Sequence, residues 1–414
     1  MAAPGLACVR SLYLTHCNSL LRTFTFRHVH SSAFRDVNKS KNLNKYLLSN
    51  LTFGSVGIFS IYVAVKLKHA RTVHASVESL GNEQNKPCAK LDVSSKTSKS
   101  LSSAKANPWH FDNLPSKQIR HDKEKPVNLT LYQYVTCPFC CKVRAYLDYY
   151  GINYNIVEVD SIKRTQTKWT SYSKVPILVC DGVGPDGFLE MNDSSMIISL
   201  LQSQRLGNAD ADLNKLLSFY PVIVSKSGRK TVYEYPNKYF LMYQDGAVDR
   251  EMAELREERE WRSWVDNNLV HVLSPNAYRT LSESFESFHW FSEAGDWEKS
   301  MTSFSRYTCI YLGALVMWAI GGRLKRRYGL EDDVRQSLYK SVNEWLEGVG
   351  PSRKFMGGDN PNLADLAVYG VMSAIEGCQA FKDLSDNTNF MEWYTPMKKA
   401  VQGSEGLSHV APSR

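Results

Sequence analysis

Apolar residues alternate over 127–134 and predict a strand that runs straight into Cys137-Pro138-Phe139-Cys140. A helical pattern follows to Tyr150, and then a second β-rich run, Tyr154-Asn155-Ile156-Val157-Glu158-Val159. Residues 161–171 are polar and read as a further helix. Lys174-Val175-Pro176-Ile177-Leu178-Val179-Cys180 is an apolar strand opened by Val-Pro; a proline has no ladder N–H, so it suits a strand's first position or a cis turn. A glycine-rich turn at 181–187 leads to a short strand at 188–191. Asn192-Asp193-Ser194-Ser195 then caps a helix whose apolar face is Met196, Ile197, Leu200 and Leu201. Strand, Cys-x-x-Cys, helix, strand is the order of an α/β thioredoxin-like unit of the glutaredoxin type, placed here at 126–204.

The connecting segment, 205–247, holds two aromatic β-like runs at 219–224 and 232–243, split by Ser225-Lys226-Ser227-Gly228-Arg229, and predicts a hairpin. From 248 to 404 the patterns are helical, which predicts an all-α second domain, with a tail at 405–414. One helix is expected at 251–273, broken near Pro275, and a second at 297–327. The second has an uncharged core at 307–322 that is short for a membrane span and is read as a buried helix. A third follows at 331–349. Asn362 opens the fourth, with Asp365 in the place of the usual capping-box glutamate. The fifth lies at 389–401. Trp261, Trp264 and Trp290 are read as core or domain-interface aromatics, and Arg323, Lys325, Arg326 and Arg327 as a solvated helix end.

Ahead of these domains, residues 47–65 carry no charge and reach the length of a membrane span, so a transmembrane helix is placed at 46–66. Basic residues flank it on both sides and give no orientation. The arm at 1–45 holds seven Arg/Lys and one acid, Asp36, a composition that fits a mitochondrial presequence. Residues 67–125 turn to Ser, Lys, Asn and Pro and read as a flexible linker. Charge supports this division. Residues 1–125 carry 19 Lys/Arg against 7 Asp/Glu, and the remainder 31 against 35. The basic excess belongs to the arm and linker, so nucleic-acid binding by the folded body is not expected. Nine cysteines without scaffold spacing, an odd number, fit a reducing compartment.

Within Cys-Pro-Phe-Cys, Pro138 suits the first helical turn, where its missing N–H costs nothing. Cys137 then lies at the helix N-terminus, where unpaired N–H groups and the helix dipole favour thiolate over thiol. Cys140, about one turn on, is placed to resolve a mixed disulfide at Cys137. Cys141 points elsewhere and is read as a small buried apolar residue. No second Cys-x-x-Cys and no His-x-x-x-His completes a zinc set, so no metal site is expected.

The ordered set of motifs resembles the glutathione-transferase architecture and, more closely, the membrane-associated prostaglandin E synthases built on it. The resemblance rests on Leu131-Tyr132-Gln133-Tyr134 before Cys137-Pro138-Phe139-Cys140, then Lys142-Val143-Arg144-Ala145 and Lys174-Val175-Pro176-Ile177-Leu178-Val179. Asn192-Asp193-Ser194-Ser195, Ser274-Pro275-Asn276, Tyr278-Arg279-Thr280, Phe355-Met356-Gly357-Gly358 and Asn362-Leu363-Ala364-Asp365-Leu366-Ala367-Val368-Tyr369-Gly370-Val371 continue it over 126 to about 400.

This resemblance implies isomerisation of prostaglandin H2 to prostaglandin E2, with Cys137 as the catalytic thiol and Tyr134 and Cys140 at matching motif positions. It implies glutathione as partner, its backbone paired with Val175 and its γ-glutamyl group at Asp193 and Ser194. Haem with glutathione sulfur on the iron, a homodimer, and a Golgi-type membrane with a cytosolic body are further implications; the arm's composition points instead to mitochondria. Two rival functions stay open: a glutathione-dependent thiol–disulfide oxidoreductase, for which the dithiol suffices, and a haem- and glutathione-binding protein without physiological isomerase activity.

Overall fold

The computed structural model describes residues 115–409 apart from 124, 162, 185, 208–211, 228–229 and 243–250. The expected membrane helix, the basic arm and most of the linker lie outside the described residues.

Five strands form one sheet: β1 (Lys117–Ile119), β2 (Leu129–Gln133), β3 (Tyr154–Glu158), β4 (Ile177–Asp181) and β5 (Phe188–Asn192), in the order β1-β3-β2-β4-β5. β2 is central, every side chain buried, parallel to β3 and antiparallel to β4. Its alternation sends Leu129 and Leu131 into the main core and Tyr132 into a smaller cluster with Val157, Val159, Tyr172, Ile177 and Val179 on the other face. β1 comes from a stretch read as linker. With one apolar residue it has no period to detect, and antiparallel pairing with the edge of β3 is what makes it a strand.

α1 (Pro138–Tyr149) follows β2, and α2 (Ser194–Leu206) follows β5. The helix expected at 161–171 does not form. Arg164 takes a left-handed conformation (φ 51°), only Thr165–Thr167 makes a 3₁₀ turn, and Trp169 packs against Tyr132 and Phe188. Tertiary packing of that indole overrides a weak local propensity. A short α3 (Leu213–Leu217) precedes the expected hairpin of β6 (Ile223–Ser227) and β7 (Lys230–Glu234).

The second domain opens with α4 (Met252–Trp264), which passes through a π turn at Val265–Leu269 into α5 (Val270–Ala277). Pro275 lies inside α5, so the break falls at Tyr278 and not at the proline. α6 (Leu281–Ala294), capped by Thr280, was not apparent in the sequence. Next come α7 (Trp297–Ser300), α8 (Ser303–Arg327), α9 (Val334–Val349), α10 (Leu363–Ser373), α11 (Gln379–Asn387) and α12 (Phe390–Gln402). Trp261, Trp264 and Trp290 do pack against the core.

The start of α10 and its contact with α1 are both closely fixed. The Asn362–Asp365 capping box forms as expected, and Asp365 also accepts from the N–H groups of Met356 and Gly357. Gly370 of α10 lies directly on α1: a Cβ there would sit 2.5 Å from Lys142 Cα and 2.8 Å from Lys142 N. The uncharged 307–322 core of α8, by contrast, is not a buried helix. Only Ile310, Ala314 and Gly321 are buried in α8, and its other face is open.

Candidate active site

β2 delivers Tyr134 and the turn at Val135 and Thr136 to the start of α1, where Cys137 is the N-cap and Pro138 opens the helix. The Cys137 N–H donates to Tyr134 O at 3.0 Å, and no acidic residue lies in the helix's first turn to oppose a thiolate. A hydrogen bond from the Cys140 thiol does most to lower the Cys137 thiol. Burial opposes this, and the N–H groups of Cys140 and Phe139 and the Arg144 guanidinium add to it, giving a value of about 7. Cys140 itself is fully buried, which pushes its thiol well up, so it stays protonated and donates. Burial likewise raises the Tyr134 phenol, which keeps its proton. Tyr134, Cys137 and Cys140 therefore form one constellation. Cys141 is buried and points away, its Sγ 3.3 Å from Val135 O.

The loop ahead of Cys137 is held from both sides. The Val135 N–H donates to Glu158 Oε1 at 2.7 Å, and the Val135 carbonyl accepts from Arg144 Nη2 at 2.6 Å. Gln133 joins the two charged groups, donating to Glu158 at 3.1 Å and accepting from Arg144 at 2.5 Å. Arg164 is a further cation near the Tyr134 phenol; its Nη2 is buried without a hydrogen bond among the described residues. Glu158 and Arg164 do not stand out in the sequence, because no local pattern distinguishes them from surface charges, and the motif that includes Arg144 does not show what it meets.

Val175–Pro176 is a cis peptide, and Val175 and Tyr134 each pack against the smaller cluster. Asp193, at φ 70°, caps α2 by accepting from Ser195 N at 2.9 Å and Met196 N at 3.2 Å; Ser194 is buried beside it. Burial pushes the Tyr172 phenol up, and the nearby Asp193 carboxylate adds to it. Lys238, on the loop after the hairpin, reaches Asp193 Oδ2 at 3.5 Å. That loop could not be placed here from sequence, since it lies 45 residues away along the chain.

Beneath α2, Lys142 Nζ donates to Ser195 Oγ at 2.9 Å and to Asp266 Oδ1 at 2.5 Å. Asp266 also accepts from Ser195 Oγ and Tyr239. Burial alone would raise the Asp266 carboxyl, but Lys142, Ser195 and Lys238 more than offset it and hold it below the usual range. This buried network ties α1 and α2 to the π turn of the helical domain.

Three histidines of the described residues have partners within the fold. His121 pairs with Asp148 and Ser404, His271 stacks on Tyr328, and His289 lies against Tyr311. Among the described residues no cluster of His, Cys, Asp or Glu could hold a metal ion.

Residues 131–209 match the family described as glutathione S-transferase, N-terminal domain. Of solved structures, glutathione S-transferase-I bound with lactoylglutathione aligns over 68% of this chain and 100% of its own, at 15% identity and a TM-score of 0.37. Prostaglandin E synthase 2 of Danio rerio is 45% identical over 285 residues, 68% of this chain and 73% of that protein. Prostaglandin E synthase 2 of Mus musculus is 41% identical over 313 residues, 74% and 79% respectively. This chain, a thioredoxin-type sheet followed by a helical domain, thus belongs to the prostaglandin E synthase 2 family and is an enzyme of that class.

Proposed function

We propose that the chain isomerises prostaglandin H2 to prostaglandin E2 at Cys137, with Tyr134 as proton donor. The supporting observation is a thiol lowered to about 7 beside a phenol that stays protonated. In the reaction one ring carbon loses its proton and becomes the ketone, the O–O bond breaks, and the other oxygen leaves as an alkoxide that gains a proton. The Cys137 thiolate serves this either by removing the carbon-bound proton or by attacking one peroxide oxygen and leaving again as the ketone forms. In both the Tyr134 phenol donates to the alkoxide, and the tyrosinate so formed takes back a proton, from the Cys137 thiol in the first route and from the ring carbon as the S–O bond breaks in the second, which restores thiolate and phenol together. Cys140 holds the thiolate by its S–H.

Glutathione fits as the partner, with the backbone of Val175 pairing its chain and Asp193 and Ser194 receiving the γ-glutamyl end. When bound it brings a second thiol to the site. Haem in this reading takes its iron ligand from glutathione and not from this chain, and no step runs through it. The membrane helix at 46–66, a Golgi-type location and a homodimer complete the reading.

The test is product formation from prostaglandin H2 by the full chain and its Cys137→Ser variant in reducing buffer. Loss of the E-type product by a hundredfold or more is expected; equal activity in both would sink the mechanism. A thiol–disulfide oxidoreductase would instead show itself by losing disulfide turnover on Cys140→Ser, a change that the isomerase largely survives.

A further inference from the structure

Arg164 closes the loop that follows β3, at φ 51°, a left-handed conformation that a long side chain adopts only when its surroundings hold it there. The surroundings do so on both sides. The Arg164 N–H donates to Asp160 O at 2.9 Å, and its carbonyl accepts from Thr167 N at 3.2 Å and Thr167 Oγ1 at 3.3 Å. Ahead of it, Ser161 Oγ lies 3.6 Å from Cys309 Sγ of α8. Behind it, Trp169 is pinned by its Nε1–H, which donates to Gln166 O at 2.8 Å, and by its contacts with Tyr132 and Phe188.

The side chain crosses from this loop to the one that carries the cis-proline. Arg164 Nη1 donates to the Ser173 carbonyl, two residues ahead of Val175. Val175 and Tyr134 both pack against the smaller cluster, to which Trp169 also belongs. The Arg164 charge is felt at the Tyr134 phenol, where it acts against Cys137, Cys140 and Asp160. Its Nη2 is buried yet makes no hydrogen bond, and no carboxylate pairs with the guanidinium among the described residues.

A buried donor without an acceptor is costly, and a guanidinium cannot shed its charge to escape that cost. Arg144 shows what a structural arginine does here: its guanidinium is taken up by Gln133, Val135 and the Cys141 sulfur. Arg164 spends one end on Ser173 and keeps the other unspent. A spare donor and an unbalanced charge beside a phenol suit an anion that forms only during the reaction. When Tyr134 gives its proton to the alkoxide, the phenol oxygen becomes that anion.

We propose that Arg164 is a positioning residue of the reaction, held by the Ser173 carbonyl beside Tyr134 so that its charge stabilises the tyrosinate formed as the phenol protonates the alkoxide. The inference rests on Tyr134 as the proton donor and supplies the group that balances it. Arg164 keeps its own protons throughout. The moving proton leaves the Tyr134 oxygen for the alkoxide, and that oxygen is reprotonated from the Cys137 thiol or the ring carbon. Because the charge exists only once the phenol has given up its proton, Arg164 acts on the rate and not on substrate binding.

Steady-state kinetics of the full chain test this, with prostaglandin H2 and its methyl ester as substrates and glutathione present. Arg164→Gln should lower kcat about tenfold or more on both, with KM unchanged. Arg164→Lys keeps the charge and should recover part of the loss. In a Tyr134→Phe background, Arg164→Gln should cost nothing further. A readout without turnover is the fluorine resonance of 3-fluorotyrosine placed at position 134, whose titration midpoint should rise by about one pH unit in Arg164→Gln. An unchanged midpoint, or an equal loss in both backgrounds, would overturn the inference and leave Tyr134 as donor. A KM raised on the acid but not the ester would assign Arg164 to the substrate carboxylate, and a weakened glutathione Kd with kcat intact would assign it to glutathione; either overturns the inference. Full activity of Tyr134→Phe would overturn the donor reading and this inference together.

Discussion

The backbone N–H of Val135 donates to Glu158 Oε1 at 2.7 Å, two residues ahead of the reactive thiol. Burial raises the Glu158 carboxyl from 4.5 to about 7, partly offset by the hydrogen bonds from Val135 and Gln133. Between those values the folded chain holds a proton that the unfolded chain has lost. Stability from this group is therefore full below pH 4.5, falls as pH rises through 7, and is level above. The steepest loss is about 1.4 kcal/mol per pH unit. Glu158→Gln keeps an acceptor for Val135 but cannot ionise. Urea denaturation from pH 4.5 to 8 should show the wild-type decline flattened in the variant, and an unchanged slope would refute the assignment.

The Cys140 thiol is the main influence lowering Cys137, so the two substitutions at 140 should differ. Cys140→Ala removes the donor, and half-maximal alkylation of Cys137 by iodoacetamide should move from near pH 7 to at least one pH unit higher. Cys140→Ser retains a donor and should move it less. Identical profiles for the two variants would assign the lowered value to the helix N-terminus instead.

Asp266 is the carboxylate that balances Lys142, which is 1% exposed at its side chain. Asp266→Asn leaves that ammonium buried without its counter-charge, at a cost of about 3–5 kcal/mol. Because the Asp266 carboxyl is held low, its contribution is present above the ordinary carboxylate range and is lost as pH falls through its folded value. Chemical denaturation at pH 7 should show the loss, and the gap between variant and wild type should narrow in strong acid. A variant as stable as wild type at pH 7 would mean the network contributes nothing net.

Gly370 lets α10 approach the backbone of α1, with Lys142 Cα, Lys142 N and Cys141 O all within 2.9 Å of where a Cβ would stand. Backbone cannot swing aside as a side chain can, so Gly370→Ala should force the helices apart and destabilise by about 1–3 kcal/mol. The same displacement shifts the start of α1, and the alkylation rate of Cys137 should change with it. Unaltered melting temperature and rate would show that the helices separate freely.

Short-range signals were legible in the sequence alone. Alternation marked β2, and the strand-to-helix switch put Cys137 at an N-terminus. Asx caps marked the starts of α2 and α10, where Asp193 and Asn362 each accept from the N–H groups of the next turn. Each of these depends on residues within a few positions of one another, and so does the candidate thiol.

Tertiary structure decided what partner a residue meets. Lys142 reads as one more helical cation until Asp266, 124 residues later, is brought to it. Glu158 is only one position of a β-rich run until the Val135 N–H is brought to its carboxylate. β1 exists only because β3 offers an edge. The apolar core of α8 looked like buried helix because hydropathy records what a side chain avoids. It does not record whether the fold of one chain supplies enough surface to cover it. In α8 one face is covered by α6 and α5, and the other is open.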